Sequence, residues 1–386
     1  MGSWSALEEA ALACAGSWRE GRAERLARTS LDPADFVALR EAGYLLGVVP
    51  TELGGLWERP ATSLRPLCEV LRTLARGDGA VALVAAMHPA VLGFWLLSPD
   101  PDQPAWEAQR RAVFESALAG DQWGTITSEP GSGGDIAKTR AVALPDVDGA
   151  RPLVGEPFLV TGDKHFGSGS GITQFMMTTA RRDGADEPDI YALDVRDRPW
   201  DGTAGLRLLG AWDGMGMAAT QSHAMRLEDA PATRSAWGRS VNDLVLAAAP
   251  LNSCLFTAVV LGILDEAVGS ARERLAPRAQ ELRAYEQVEW TRAEAEHWLA
   301  QQAYEGALRA FEAGSGPEAL HAALRGKAAV AELAEQVLLR LTRVLGGGTY
   351  SRRSPFAHWF EDVRALGFLR PPWALASDGL FLTSFG

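Results

Sequence analysis

The pattern of apolar and polar positions changes twice along the chain, and its first part is helical. In residues 1–121 apolar residues recur at the spacing of one helix face. We predict helices over 6–18, 64–75, 80–97 and 105–118. A further helix is predicted to begin at Pro33, with Asp32 as its N-cap, and to end at Gly43. Residues 1–121 are therefore predicted to form an N-terminal helical domain.

From residue 122 the helical spacing gives way to short runs rich in β-branched and aromatic residues, separated by Gly, Pro and Asp. Such runs are typical of strands. They predict a small antiparallel β domain over 122–235, with strands at 124–127, 139–144, 158–161, 174–180, 190–195 and 223–227.

From residue 236 the helical pattern returns in three long segments, at 251–275, 281–311 and 317–345. In the last of these, Leu324, Ala331, Leu338 and Leu345 are seven residues apart. That repeat is expected of a seam between packed helices. Residues 236–386 are therefore predicted to form a C-terminal helical bundle.

Composition and charge narrow the class of protein. The 386 residues are 47% hydrophobic, enough for two or three domains with large cores. A net charge of -12 without any basic tract argues against a nucleic-acid partner and favours a soluble, cytoplasmic protein without a signal peptide. Cys14, Cys68 and Cys254 lie far apart and have no metal or redox spacing, so we expect a reducing compartment and no metal site.

One uncharged run, at residues 80–97, is long enough to cross a membrane. His88 and Pro89 stand at its centre, and a proline disfavours helix at the preceding residue. We therefore expect no membrane partner, but a buried helix that is broken or kinked at His88.

Two glycine- and hydroxyl-rich turns carry the strongest chemical signal. The first reads TSEPGSGGD at 127–135, and the second reads TGDKHFGSGSG at 161–171. Glycine is needed where φ is positive or where a ligand touches the backbone. Both turns are therefore suited to holding a flat polar ligand.

In this order and at this spacing, the two turns resemble those of the acyl-CoA dehydrogenase family. In that family a T-E-P-x-x-G-S-D turn and a G-x-K-x-[FW]-[IS]-[TS] turn hold the isoalloxazine of FAD. The resemblance covers nearly the whole chain and implies a mainly α fold with a central β domain. The order it implies is an N-terminal helical domain, a small antiparallel β domain and a C-terminal four-helix bundle.

The resemblance also implies a set of flavin-binding residues. Those expected around the ring are Thr125, Thr127 and Ser128 at its pyrimidine edge, Gly133 in the first turn, Phe166 against one face and Ser168 near N5. Gly134 stands where the family usually has serine.

In the family the adenosine half of FAD is completed by a neighbouring subunit. The corresponding residues here are Arg278, Gly346 and Gly347, with Arg343 in place of the family's glutamine. Because this half matches less well, FMN or an externally supplied reduced flavin stays open beside FAD. A site shared between subunits implies a homodimer or homotetramer.

The glutamate with which the family removes a proton from its substrate has no counterpart. Its position falls at Arg370, and the alternative family position falls near Asn252. A guanidinium cannot accept that proton, although it can hold a carboxylate or an oxyanion, or pair with the acidic surface of the bundle. The main hypothesis is an FAD-dependent α,β-dehydrogenase of an acyl thioester, on CoA or a carrier protein, that lacks the usual glutamate.

A second branch of the superfamily resembles dibenzothiophene monooxygenase. Its members lack the glutamate, form a C4a-peroxyflavin, and use a serine in an F-x-S-G turn and a histidine in the N-terminal domain. The FGSG sequence at 166–169 matches that turn, so Ser168 and His88 join Arg370 as catalytic candidates, although a lone histidine in an apolar helix is more often a core residue. A catalytically silent flavin- or acyl-binding homologue is the third hypothesis.

Overall fold

The computed structural model describes residues 2–147, 149, 153–314 and 316–385. The helices are α1 (Trp4–Glu20), α2 (Arg22–Arg25), α3 (Pro33–Glu41), α4 (Pro60–Gly77), α5 (Gly79–Leu96), α6 (Pro104–Leu118), α7 (Val241–Leu275), α8 (Ala284–Ala313), α9 (Pro317–Leu345), α10 (Pro355–Val363) and α11 (Trp373–Phe385). The strands are β1 (Trp123–Thr125), β2 (Val142–Pro145), β3 (Pro157–Gly167), β4 (Phe175–Arg182), β5 (Pro188–Asp194), β6 (Leu206–Gly210) and β7 (His223–Arg234).

Local capping signals set several helix boundaries as predicted. The Asp32 carboxylate accepts a hydrogen bond from the Ala34 N–H at 2.9 Å, and α3 begins at Pro33. Helix α9 has the predicted limits. Helix α5, however, is not broken at His88 but continues through Pro89.

The continuity of α5 has a local cause. Pro89 has no N–H to donate to the carbonyl of Ala85, four residues earlier. The hydroxyl of Tyr44 donates to that carbonyl instead, at 2.9 Å. Because α5 is also buried along nearly all of its length, packing compensates for the proline.

The β region is a mixed sheet that closes on itself. Strands β4, β2, β3, β7 and β5 pair in that order, and β5 pairs back with β4, while β1 adds to β4 and β6 adds to β7. The prediction of an antiparallel domain needs correction, since β1 and β2 both run parallel to β4. Strand β6 was not predicted.

The helices from both ends of the chain share one core. Helix α7 packs against α4 and α5 as well as against α8 and α9. Helices α5 and α7 are long and apolar enough to cross a membrane, yet both are mostly buried in this core. In the described residues α7, α8 and α9 are the long C-terminal helices, and α10 and α11 are much shorter, so the predicted four-helix form is not confirmed. The boundaries 1–121, 122–235 and 236–386 stay predictions.

Candidate functional site

The two turns singled out in the sequence lie side by side. Ser128 and His165 form an antiparallel bridge, in which the His165 N–H donates to the Ser128 carbonyl at 2.8 Å. The end of β1 and the end of β3 are therefore brought together by backbone pairing.

A buried ion pair fastens the turns together. The Lys164 ammonium donates to a Glu129 carboxylate oxygen at 2.6 Å and to the Thr179 carbonyl at 2.6 Å. Glu129 also accepts from the backbone N–H groups of Arg140 and Ala141. Burial would raise the pKa of Glu129, but Lys164 and the two N–H groups hold it below its ordinary value. The sequence contains an acid in one turn and a lysine in the other, but it does not show that the two residues form an ion pair.

Phe166 has an unusual backbone and an unusual exposure. Its φ of 59° lies in the left-handed region, which costs a non-glycine residue free energy. Its ring is 57% exposed and meets Trp212 edge to face at 6.0 Å between centroids. A large aromatic face is thus presented to solvent on a strained backbone, which points to a binding role rather than to core packing.

Ser168 belongs to a chain of hydroxyl groups. Its Oγ is 2.7 Å from the Ser222 Oγ, and Ser222 is in turn 2.7 Å from the Thr220 hydroxyl. Thr220 donates to the Met217 carbonyl at 2.8 Å. The orientation of the Ser168 hydroxyl is therefore controlled by the 217–222 loop, a connection that the sequence did not reveal.

Arg370 reaches the first turn from the far end of the chain. One of its guanidinium nitrogens donates to the Ser128 Oγ at 3.2 Å. Burial lowers the pKa of Arg370 to about 10, against the attraction of Asp135, so the side chain stays charged at neutral pH. A fixed cation, and not a base, thus stands beside Ser128.

The remaining ring-site predictions lie along the same turn. The Thr125 hydroxyl donates to the Met177 carbonyl at 3.3 Å. Thr127 is buried, and its hydroxyl makes no hydrogen bond within the described residues. Gly133 has a φ of 61° and open space around its Cα. Hydroxyl and guanidinium donors at the first turn and an exposed aromatic ring on the second are groups that fit a flat heterocycle such as a flavin ring.

His88 does not join this site. It is fully buried, its Nε2–H donates to the Leu45 carbonyl at 3.1 Å, and its Nδ1 accepts from the Trp123 N–H at 3.1 Å. Burial lowers the pKa of His88 to about 4, so the ring is neutral. Because both nitrogens are engaged in the core, we remove His88 from the catalytic candidates and assign it to the anchoring of β1 on α5.

Arg278, Gly346 and Gly347 belong to a second place on the chain. Arg278 donates to the Val344 carbonyl at 3.1 Å and lines a cavity of about 380 Å³. Arg274, Arg353 and the Gly348 turn also line this cavity. Within the described residues no hydrogen bond or ion pair joins it to the Ser128 turn. Its three guanidinium groups fit a phosphate-sized anion.

Another cavity, of about 400 Å³, opens at one mouth of the closed sheet. Its walls include Met176, Leu193, Met225 and the aliphatic part of Arg198. None of the residues predicted for the flavin or for catalysis lines it.

Comparison with known proteins gives this geometry a context. No protein-family model matches the chain. It is 27% identical over 369 residues to L-evernosamine nitrososynthase of a Micromonospora species, covering 89% of this chain and 81% of that enzyme. A structure of KijD3 superposes with a TM-score of 0.83 at 23% identity, covering 99% of this chain and 94% of KijD3.

Dibenzothiophene monooxygenase (TdsC) from Paenibacillus sp. A11-2 superposes with a TM-score of 0.76 at 19% identity, covering 98% of this chain and 97% of TdsC. The structural likeness shows a shared fold over essentially the full chain. The chain therefore has the fold of the acyl-CoA dehydrogenase-like flavoproteins, and its relatives in sequence and structure are flavin-dependent oxidising enzymes.

Proposed function

We propose that the protein is a flavin-dependent monooxygenase that oxidises an amino group on a nucleotide-linked sugar. The observation that carries this proposal is Arg370, 3.2 Å from Ser128 at the position expected for the dehydrogenase base. Of the two acids in this turn, Glu129 is paired with Lys164 and Asp135 attracts Arg370. Removal of a proton from a thioester needs a free carboxylate near the flavin, and this arrangement offers a cation instead.

The relatives support the substrate class. The sequence relatives are named as amino sugar nitrososynthases, and KijD3 has been solved with FMN and a dTDP-linked amino-keto sugar. TdsC has also been solved with FMN. These favour FMN over FAD and a nucleotide-sugar amine over an acyl thioester on CoA or a carrier protein.

Different residues of the chain have different roles in the proposed oxygenation. A bound reduced flavin supplies the electrons with which oxygen is activated. Phe166 covers one ring face and excludes water, and Thr127 and Ser128 bind the ring edge. The Ser168 hydroxyl, whose proton goes to Ser222 in the hydroxyl chain, would turn from Ser222 to donate a hydrogen bond where charge develops on the reacting oxygen.

The arginine-lined cavity around Arg278 suits the flavin phosphate. Within one chain it is separate from the ring site, so a neighbouring copy would supply it, as in a homodimer or homotetramer. The adjoining Gly346 and Gly347 carry no side chain that would narrow the approach.

A pair of serine variants tests the proposal. Ser168→Ala should lower oxygenation of a dTDP-linked amino sugar about 100-fold, with reduced FMN supplied by a reductase. Ser170→Ala is the matched control, since Ser170 lies in the same turn and donates only to the Gly167 carbonyl. Equal activity of the two variants, or no oxygenation by the parent protein with any amino sugar, would refute it.

A further inference from the structure

A buried lysine on α9 lies outside the candidate site and has no role in the proposed reaction so far. Lys327 is 4% exposed. Its ammonium donates to the Leu369 carbonyl at 2.7 Å and to the Pro371 carbonyl at 2.5 Å. No carboxylate forms an ion pair with Lys327 within the described residues. Burial of an ammonium without a counter-charge is costly, so a compensating role is expected.

The two carbonyls that Lys327 binds flank Arg370 on either side. One side chain from α9 therefore binds the carbonyl groups of the residues immediately before and after Arg370, whose guanidinium meets Ser128. Burial lowers the pKa of Lys327 to about 7, a sign of how completely it is enclosed.

The segment that carries Arg370, residues 369–372, also packs closely against Gly134 in the first turn. A Cβ on Gly134 would lie 2.8 Å from the Pro372 Cγ, and Gly134 has a φ of 82°. A serine, which the family usually has at this position, would push the segment away from the turn. Gly134 and Lys327 together hold residues 369–372 between α9 and the first turn.

Arg370 is a buried cation that forms no ion pair within the described residues, although Asp135 attracts it electrostatically. Its charge helps to lower the pKa of Lys164, so the two cations lie near each other. Because Lys164 is paired with Glu129, the charge without an ion pair beside Ser128 is that of Arg370, and a negative group bound there would stabilise it. The flavin ring gains negative charge when it is reduced, whereas the oxidised ring is uncharged.

We infer that Lys327 is a positioning residue that holds Arg370 against Ser128, so that Arg370 presents a positive charge to the ring edge and favours the reduced flavin. This inference rests on the proposed flavin function. It adds the residues, Lys327 and Arg370, that set the relative affinity of the protein for reduced and oxidised flavin.

The test measures flavin binding without substrate and without oxygen. Arg370→Gln should weaken binding of reduced FMN relative to oxidised FMN about tenfold, which corresponds to about 30 mV in the two-electron midpoint potential. Lys327→Met should produce most of that shift, and Lys327→Arg, which keeps the donors, should recover part of it. Arg325→Met is the matched control, because Arg325 lies on the same helix as Lys327 but is exposed.

A double variant separates positioning from a merely structural role. If Lys327 acts through Arg370, adding Lys327→Met to Arg370→Gln changes the affinity ratio no further. Additive shifts, an unchanged ratio in either single variant, or a change confined to the KM of the nucleotide sugar would overturn the inference. Failure to bind flavin at all would overturn the proposed function with it. A protein that shows the predicted ratios but oxygenates no amine would leave this inference standing and refute the proposed reaction.

Discussion

Removal of the Lys164 ammonium should lower the free energy of unfolding by weakening the contact between the two turns. Lys164 is fully buried, and its Glu129 partner is 4% exposed in its side chain, at 2.6 Å. In Lys164→Met a carboxylate stays buried with the Arg140 and Ala141 N–H groups as its hydrogen-bond donors and the exposed Arg140 guanidinium at 3.9 Å. Breaking a buried pair from one side costs about 3–5 kcal/mol, and the two remaining donors place the expected loss near the lower end.

The same change should reach the flavin. Since Ser128 lies next to Glu129 and Phe166 lies two residues after Lys164, separation of the turns displaces both sides of the ring site. A displacement that costs about 1.4 kcal/mol of binding weakens flavin affinity about tenfold. Urea unfolding measures the first effect, and flavin fluorescence titration measures the second.

Two further variants make this reasoning refutable. Glu129→Gln combined with Lys164→Met removes both charges, so the double variant should be more stable than Lys164→Met alone. Lys138→Met, on an exposed lysine, should change neither quantity. A loss below about 1 kcal/mol in Lys164→Met, or a double variant as unstable as the sum of its parts, would show that the pair does not fasten the turns.

Three other predictions concern His88, Phe166 and Asp265. Burial holds the native pKa of His88 near 4, below the unfolded value, so the unfolded chain binds the proton first and stability falls by about 3 kcal/mol between pH 7 and pH 4; His88→Gln should remove that part of the acid sensitivity in urea unfolding. Because Phe166 has a φ of 59°, Phe166→Gly should be more stable than Phe166→Ala by about 1 kcal/mol, while both lose flavin affinity in titrations. Asp265 accepts from Arg72 at 2.6 Å and from His297 at 2.8 Å, so Asp265→Asn should cost about 3 kcal/mol in urea unfolding, and a loss below about 1 kcal/mol would contradict the buried network.

Local signals made the helices predictable. Asp32 and Pro33 determine where α3 begins through contacts within one turn, and the heptad spacing of leucines defines α9. The same reasoning failed for helix α5, because its continuity depends on Tyr44, a residue outside the helix. Strand β6 was missed because its sequence does not alternate between apolar and polar residues: Leu208 and Leu209 are both exposed, while Leu206 is buried.

The site was predictable where it depends on motif and not where it depends on tertiary contact. Phe166 and Ser168 could be placed from their turn. Lys327 could not, since it lies in a helix seam and its role depends on carbonyl groups more than forty residues away. His88 gave a misleading signal, because a histidine satisfied by two backbone groups has the same sequence context as one that faces a ligand.

The central claim is that the protein transfers oxygen and does not dehydrogenate. The direct measurement is mass spectrometry of the product after the protein, reduced FMN and a dTDP-linked amino sugar react under ¹⁸O₂. The account predicts a product whose nitrogen carries oxygen with the ¹⁸O mass shift. Rapid anaerobic bleaching of the bound flavin by an acyl-CoA, with no labelled product from any amine, would contradict it.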